Sequence, residues 1–288
     1  MATLIGTPPN VIFAGIYEQA SGQEFGFLSW MNIGLPITLI ALPTCWLWLS
    51  RNVAVNTNLN SSTGKIDLPA RQAWSRDQKR VISVFAIMVL LWVFRTQPFG
   101  GWATLTGLNH IGDSTIAMLG ATLMFIVRSE KGSGLLDWKT ASDIPWGILL
   151  MFAAGITIAK AFFASGLAEL IGGGLSSVVS ALPIYLVILL ICLCITFFTE
   201  VNSNLATTTL VLPILAATAQ NTNMSLELLM IPATISASCA FMLPVATAPN
   251  AIAYATGQIR IKDMMREGLY LNLILTILVS GFCFLVLR

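Results

Sequence analysis

A polar stretch at 198–209 separates two strongly apolar segments, and it restricts the fold of this chain more than any other feature. The segments cover 184–198 and 210–219. Each is shorter than the about 20 residues that a helix needs to cross a bilayer. Two short apolar arms around a polar tip indicate a re-entrant helical hairpin, whose tip must be buried in protein or face water. The alternative is a pair of soluble helices joined by a Ser/Thr/Asn loop.

The composition decides between these alternatives. Hydrophobic residues make up 56% of the 288 residues and charged residues only 10%, whereas a soluble domain carries about 25% charged residues. The sequence therefore predicts an all-α polytopic membrane protein, multi-pass in the cell inner or plasma membrane and in contact with the lipid bilayer. No nucleic-acid partner is expected, because the net charge is +2 and no basic patch contains interleaved aromatic residues. Because no catalytic or structural-metal motif is found, we expect no enzyme.

Loop charges orient the predicted membrane segments. Apolar spans occur near 28–49, 80–96, 113–128, 146–165, 229–256 and 268–287. The Lys and Arg residues follow the first span, follow the third span and precede the last one, which predicts that these loops are cytoplasmic. The opposite loops lack Lys and Arg and are expected outside; they are 18–27, 97–112, 166–182 and 220–227. This alternation requires that 184–219 enter and leave from one face, which supports the hairpin.

Two segments, 6–12 and 246–252, form an internal repeat. They share Thr, Pro, Asn and Ile at matching positions, and these are Thr7/Thr247, Pro9/Pro249, Asn10/Asn250 and Ile12/Ile252. Proline breaks a continuous helix, so each copy indicates a broken transmembrane helix. The predicted topology sends the two copies through the membrane in opposite directions. An inverted repeat with broken helices is typical of secondary transporters, which bind their ligands at the repeat interface.

The repeat also predicts the domain organisation. Residues 1–17 are expected to be the second part of the broken helix of the first repeat, and 28–49 its last helix. A cytoplasmic connector then covers 50–79. The second repeat is expected to cover 80–288, with the re-entrant hairpin at 184–219 and a broken helix at 226–257. Because the first repeat would need its own hairpin before residues 3–10, we expect the 288-residue chain to be an incomplete carrier.

The broken helices predict the ligand chemistry. Half-helices starting at Asn10 and Asn250 are expected to offer free N–H groups and a positive dipole end to a carboxylate or another oxyanion. Half-helices ending at Gly6 and Ala246 are expected to offer carbonyl oxygens to a hard monovalent cation such as Na⁺. Glu200 has two interpretations, contact with a cation or pairing with protein donors. The hairpin tip adds further polar groups, namely Thr199, Ser203, Asn204 and Thr207.

Three motifs of this sequence resemble those of the divalent-anion/sodium symporter family, the secondary carriers of di- and tricarboxylates and sulfate. They are TEVNSN at 199–204, IPATISASCAFMLPVAT at 231–247 and ATLIGTPPN at 2–10. The resemblance covers essentially the whole chain and implies a sodium-coupled symporter that works as a homodimer with an elevator-like movement.

The resemblance also implies the ligands of the sodium ions and of the anion. One sodium ion would be held by Thr199, Ser203, Asn204 and the Ala246 carbonyl. The Gly6 carbonyl would help to hold the other sodium ion. The anion would face a third set of residues, namely Asn204, Thr7, Pro8, Thr247, Leu205 and Ala248.

Two positions depart from the family pattern and leave the substrate open. Leu205 stands where the family has Thr, which removes a hydroxyl donor, and Ala248 stands where proline is common. A C4-dicarboxylate such as succinate or malate is the first expectation, and sulfate or a tricarboxylate is the alternative. Two other classes also remain, a passive anion channel and a membrane subunit with no transport of its own.

Overall fold

The computed structural model describes residues 1–51, 73–96, 100–130 and 132–288. The regular structure of these residues is helical except for one isolated antiparallel bridge, Arg128–Gly134. This confirms the predicted all-α class. Most of the predicted connector, 52–72, lies outside the described residues. The helices in chain order are α1 (Pro8–Ser21), α2 (Phe27–Ser50), α3 (Arg76–Val93), α4 (Gly101–Thr106), α5 (Asp113–Ile126), α6 (Trp138–Ser142), α7 (Trp146–Ala164), α8 (Leu167–Ala181), α9 (Ile184–Val201), α10 (Asn204–Thr222), α11 (Leu226–Ser236), α12 (Ala248–Ala255) and α13 (Ile261–Val286).

The chain divides into two compact units. The large unit comprises Met1–Val55 and Ile148–Arg288, and the small unit comprises Asn56–Gly147. These units are defined by contacts between residues, which do not test the repeat. The repeat boundaries and the inverted orientation of the repeats therefore stay predictions. Four of the described helices, α2, α7, α9 and α13, are long and apolar enough to cross a membrane. This agrees with the predicted multi-pass membrane protein.

Helix α11 is the centre of the large unit. Nine of its residues in succession, from Leu228 to Ser236, are buried. A helix that is buried on all sides belongs to the core of a fold. Helices α1, α9, α10 and α13 pack around it, while α8 packs on α10 and α2 packs on α13. The elements that carry the predicted site therefore surround one central helix.

The N-terminal segment before α1 is held against α2. The Trp30 indole donates a hydrogen bond to the Met1 carbonyl at 2.8 Å. A Cβ atom on Gly34 would lie 2.6 Å from the same carbonyl oxygen, so only glycine allows this close approach. Phe13 and Trp30 pack with their ring centroids 5.2 Å apart. These contacts fix where α1 begins, and thereby place Gly6 and Thr7.

The predicted outer loop at 166–182 is wrong, because 15 of its residues form α8. One glycine of this helix allows close packing against a neighbouring helix. A Cβ atom added to Gly172 would lie 3.0 Å from the backbone nitrogen of Thr218 on α10. Helix α8 thus packs on α10, and this contact cannot be read from the sequence of α8 alone.

The hairpin has longer arms than the apolar segments predicted. Helix α9 continues to Val201 and α10 begins at Asn204, so that only Asn202 and Ser203 are non-helical at the tip. The polar residues around the tip are themselves helical, which adds three residues to the first arm and six residues to the start of the second arm. An 18-residue helix is about 27 Å long, close to the thickness of a bilayer core. The re-entrant depth of this hairpin stays a prediction.

The broken helix has a longer break than expected. Helix α11 ends at Ser236 and α12 begins at Ala248, which leaves 237–247 non-helical. Residues 1–7 are also non-helical, so the expectation of half-helices ending at Gly6 and Ala246 is wrong. Side chains of other helices bond the backbone of the break at Ala237, Ala240 and 241–243, which replaces helical hydrogen bonds there.

The small unit begins its first described helix with a capping box. The Ser75 hydroxyl accepts from the Gln78 N–H at 3.1 Å, and the Gln78 side chain accepts from the Ser75 N–H at 2.9 Å. Helix α3 packs on α5, and Trp92 donates to the Asp113 carbonyl at 3.0 Å. Residues 101–106 of the predicted loop at 97–112 form the short helix α4.

Candidate anion and sodium site

A pocket of about 530 Å³ in the large unit gathers nearly all predicted site residues. The N-termini of three described helices, α1, α10 and α12, line it. Of the predicted residues only Thr199 lies behind the wall rather than in it. The lining residues are Gly6, Thr7, Pro8, Ile148, Ser203, Asn204, Leu205, Ser238, Ala240, Phe241, Ala246, Thr247, Ala248, Pro249 and Asn250.

The start of α10 supplies unpaired backbone donors. Ser203 is the N-cap residue, and its side chain makes no capping hydrogen bond. The first backbone bond of the helix runs from the Thr207 N–H to the Ser203 carbonyl at 2.9 Å. The N–H groups of Asn204, Leu205 and Ala206 consequently have no partner among the described residues. Sequence reasoning missed these donors, although a Ser–Asn pair before a helical segment is an N-cap signal.

The two copies of the Thr-Pro-Asn repeat begin their helices with the same backbone. Thr7 has φ −146° and ψ 149°, and Thr247 has φ −143° and ψ 152°. Each threonine is an N-cap residue, so the helices begin at Pro8 and Ala248. The predicted starts at Asn10 and Asn250 are therefore wrong by two residues, because proline is well tolerated in the first turn of a helix.

The backbone donors expected at the two asparagines are already occupied. The Asn10 N–H donates to the Thr7 carbonyl at 3.2 Å, and the Asn250 N–H donates to the Thr247 hydroxyl at 3.3 Å. Prolines occupy both of the first two helical positions of α1 and the second position of α12. The Ala248 N–H, the first donor after the cap of α12, has no partner among the described residues.

The carbonyl groups expected for sodium are unpaired for a local reason. Pro9 and Pro249 stand three residues after Gly6 and Ala246 and have no N–H to donate back. Neither the Gly6 nor the Ala246 carbonyl accepts a hydrogen bond from a described residue. Both carbonyls thus remain available as oxygen ligands at matching positions of the repeat.

The asparagine side chains hold the turns that precede the two helices. Asn10 donates through its amide nitrogen to the Thr3 carbonyl at 2.9 Å. Asn250 donates in the same way to the Leu243 carbonyl at 3.1 Å, which is also seven residues earlier, and to the Ala240 carbonyl at 2.9 Å. Asn10 therefore supports the site from outside the pocket lining, while Asn250 is itself part of that lining.

The tip of the hairpin is tied to its surroundings by hydroxyl groups. Thr199 is fully buried, and its hydroxyl oxygen lies 2.7 Å from the Asn204 amide oxygen and 3.2 Å from the Ala237 carbonyl oxygen. Its single hydroxyl proton serves one of these acceptors at a time. Ser238 in the break lies 3.3 Å from the Thr7 hydroxyl. These contacts bring the tip, the break and the start of α1 together.

Glu200 holds the backbone of the break, which the sequence left undecided. One carboxylate oxygen accepts from the Met242 N–H at 2.9 Å and from the Asn272 amide at 2.7 Å. The other oxygen accepts from the Leu243 N–H at 3.1 Å. Asn272 in turn accepts from the Phe241 N–H at 3.2 Å. The role of Asn272 was missed, because an asparagine inside an apolar helix carries no sign of its partner.

The wall of the pocket has no charged side chain among the described residues. An anion there would meet helix N-termini, free N–H groups and hydroxyls, which favour negative charge without a fixed cation. The oxygen atoms of Thr199, Ser203 and Asn204, with the two unpaired carbonyls, are neutral hard donors. Such donors fit a monovalent hard cation and offer nothing to a transition metal.

These features define the class as an all-α, multi-pass integral membrane protein with a neutral pocket bordered by helix N-termini. Residues 1–285 match the family model described as sodium:sulfate symporter transmembrane region. The chain therefore belongs to the sodium:sulfate symporter family, which confirms the resemblance found in the sequence motifs.

Two relatives are both named sodium-dependent dicarboxylate transporter SdcS. The protein from Staphylococcus saprophyticus is 37% identical over 282 residues, which cover 95% of this chain and 53% of the relative. The protein from Staphylococcus aureus strain NCTC 8325 is 38% identical over 289 residues, which cover 97% of this chain and 54% of the relative. The chain thus spans about half the length of the relatives it matches.

Proposed function

We propose that this chain forms the binding site of a sodium-coupled symporter for a divalent organic anion, with a C4-dicarboxylate such as succinate or malate as substrate. The observation that carries the proposal is the convergence of three helix N-termini on one uncharged pocket. The names of the two relatives support a dicarboxylate over sulfate or a tricarboxylate.

Charge explains why sodium should accompany the anion. Each helix N-terminus is equivalent to about +0.5 elementary charge, so three of them offset a dianion only in part. Because the pocket has no cationic side chain among the described residues, the remaining negative charge of the anion would be uncompensated in a medium of low dielectric constant. Sodium ions bound beside the anion would supply the missing charge, which makes anion binding dependent on sodium.

The proposed sodium ligands are neutral oxygens next to the anion. One ion would be held by Thr199, Ser203, Asn204 and the Ala246 carbonyl, and the Gly6 carbonyl would contribute to a second ion. The unpaired state of both carbonyls supports this assignment. Asn204 has an acceptor and a donor on one side chain, so it can contact the cation and the anion together.

An elevator-like movement is compatible with the location of the pocket. All of its lining residues belong to the large unit, so this unit would hold the anion and the sodium ions without a ligand from the small unit. The family resemblance supports a homodimer as the working assembly.

Uptake measurements test the proposed function. The full-length protein, reconstituted in proteoliposomes, is expected to accumulate labelled succinate against its gradient only when a sodium gradient is applied. Competition by malate, citrate and sulfate then ranks the substrates. Steady currents that do not depend on sodium would instead identify an anion channel, and absence of uptake and current would identify a non-transporting subunit.

The hairpin tip offers a matched pair of variants. Asn204→Ala is expected to abolish sodium-dependent uptake, because it removes the one side chain that contacts both ligands. Asn202→Ala is the control, since Asn202 is an exposed tip residue whose amide contacts only the Phe198 carbonyl at 3.4 Å. Wild-type uptake by Asn204→Ala, with normal expression in the membrane, would contradict the assignment.

A further inference from the structure

Two buried hydroxyl groups on α10, those of Thr207 and Thr209, have no hydrogen-bond partner among the described residues, and three more such groups lie on other helices of the large unit. These three belong to Thr196 on α9, Ser236 on α11 and Thr276 on α13. Their residues are 0%, 1% and 2% exposed, so bulk water does not reach them. None of these residues lines the anion pocket.

Helices α9 and α13 bring two of these hydroxyls to one level. The helices are antiparallel, because Tyr185 packs on Phe284 at one end and Glu200 bonds Asn272 at the other. Thr196 lies four residues before Glu200, and Thr276 lies four residues after Asn272. Each threonine is therefore one helical turn from the Glu200–Asn272 hydrogen bond, on the same face of its helix.

Helix α11 brings Ser236 to the same level. Thr199 contacts the Ala237 carbonyl, and the Cys192 thiol lies 3.9 Å from the Pro232 carbonyl. On α9, Thr196 lies between Cys192 and Thr199. Ser236 lies between Pro232 and Ala237, the two residues that Cys192 and Thr199 contact. The Ser236 hydroxyl also lies next to the Cys192 thiol, a weak hydrogen-bonding group that offsets only part of the cost of burying this hydroxyl.

Satisfied and unsatisfied threonines occur side by side in this part of the molecule, since Thr207 and Thr209 on α10 also lack a partner. Thr234 on α11 and Thr208 on α10 each donate to the carbonyl four residues earlier, at 2.7 Å. A buried threonine normally satisfies itself in this way. A buried hydroxyl that does not do so is costly, and this indicates a ligand between the three helices.

The charge of Glu200 indicates which ligand this is. Its residue is 4% exposed, and no Lys, Arg or His among the described residues forms an ion pair with it. A buried carboxylate without a cationic partner is unfavourable in a membrane protein. A small cation one turn away would lower that cost and satisfy the hydroxyl oxygens.

We propose that Thr196, Ser236 and Thr276 form an additional sodium site behind the hairpin tip, with the Glu200 carboxylate as its compensating charge. Hydroxyl oxygens and a nearby carboxylate suit a hard monovalent cation. This site rests on the proposed sodium coupling and is separate from the ligands at the tip. Sodium bound there would join α9, α11 and α13 and so favour the arrangement in which Glu200 holds the break.

Sodium-dependent thermal stability tests the site without any transport. The full-length protein is titrated with NaCl against choline chloride in the absence of substrate, and its unfolding midpoint is followed. A ligand that binds only the folded state raises the midpoint with its concentration. In Thr196→Val and Thr276→Val, the sodium concentration for half of this rise is expected to increase about tenfold.

Thr234→Val is the matched control, because it removes an equally buried hydroxyl that is satisfied within its own helix. It is expected to keep the wild-type sodium titration. Sodium titrations of Thr196→Val and Thr276→Val that match this control would overturn the proposal. Equal midpoint changes in NaCl and in choline chloride would also overturn it, since they would show an effect of ionic strength and no specific binding of sodium.

Uptake measurements separate a failure of this site from a failure of the proposed function. In the threonine variants the Hill coefficient for sodium in succinate uptake is expected to fall by about one. Wild-type protein that takes up succinate with sodium, together with variants of unchanged Hill coefficient, would refute only the additional site. Wild-type protein without sodium-dependent uptake would refute the proposed function, while the substrate-free titration would still decide the site.

Discussion

The segments 6–12 and 246–252 adopt the same cap conformation but present different groups to the pocket. In the first copy Pro8 follows the cap and has no N–H group to donate. In the second copy Ala248 follows the cap and keeps a free N–H. The comparison shows that a repeated backbone does not imply repeated chemistry, because one residue decides whether a helix start can donate a hydrogen bond.

The two copies also differ in how firmly they are held. Asn10 satisfies one backbone carbonyl, whereas Asn250 satisfies two. The second copy is further held by Glu200 and Asn272, which bond the backbone of the preceding break. The Thr247 side chain caps α12, whereas the Thr7 hydroxyl contacts Ser238 instead. The second copy therefore depends more strongly on the rest of the large unit.

The largest expected difference between the copies concerns their asparagines. Asn250→Ala leaves two carbonyls unpaired and is expected to lower the free energy of unfolding by about 2–4 kcal/mol. Asn10→Ala leaves one carbonyl unpaired and also removes a buried amide oxygen that has no partner. A loss of about 1 kcal/mol is therefore expected for it. Thermal or denaturant unfolding in detergent measures both, and equal losses would contradict the proposed difference.

An exchange of the residues after the caps tests the anion donors. Ala248→Pro removes the free N–H without strain, because Pro8 occupies the same backbone in the other copy. The KM for succinate is expected to rise about two- to tenfold, as for one lost hydrogen bond. Pro8→Ala adds a donor and is expected to lower the KM by about twofold. An unchanged KM in Ala248→Pro would mean that this N–H does not face the anion.

The smallest expected effect concerns the third helix start, which has no copy in the repeat. Leu205→Thr adds a hydroxyl donor at the pocket wall and is expected to shift the preference among dicarboxylates, citrate and sulfate without abolishing transport. Leu205→Val introduces a side chain of nearly the same shape as threonine but without the hydroxyl, and this variant serves as the control. Identical competition profiles for the two variants would show that the side chain at position 205 does not contact the anion.

Much of the candidate site was predictable because its signals are local. Available carbonyls at Gly6 and Ala246 were predicted from helix ends that the structure does not have, and the absence of an N–H group at Pro9 and Pro249 accounts for them instead. The prolines indicated two broken helices, although the predicted starts at Asn10 and Asn250 lie two residues after the observed ones. All the predicted pocket residues except Thr199 line one cavity. The sodium and anion roles of these residues stay predictions.

Other features were not predictable, because they depend on contacts between distant residues. The end of α11 at Ser236 follows from Glu200 and Asn272, which are 72 residues apart in sequence and satisfy the backbone of the break. The helix at 167–181 was mistaken for a loop, since that prediction used only the absence of Lys and Arg, whereas the close packing of Gly172 on α10 is a contact between distant residues.

The sequence by itself therefore determined the membrane class, the helical content, the repeat and the residues of the pocket. Apolar length, proline and the N-cap threonines act within a few residues of their position, so these properties can be inferred without a partner. The tertiary structure alone decided which N–H groups remain free, how far the break extends and which buried hydroxyls lack an acceptor. A hydrogen-bonding group is satisfied or unpaired only with respect to its neighbours in space, and sequence order does not specify those neighbours.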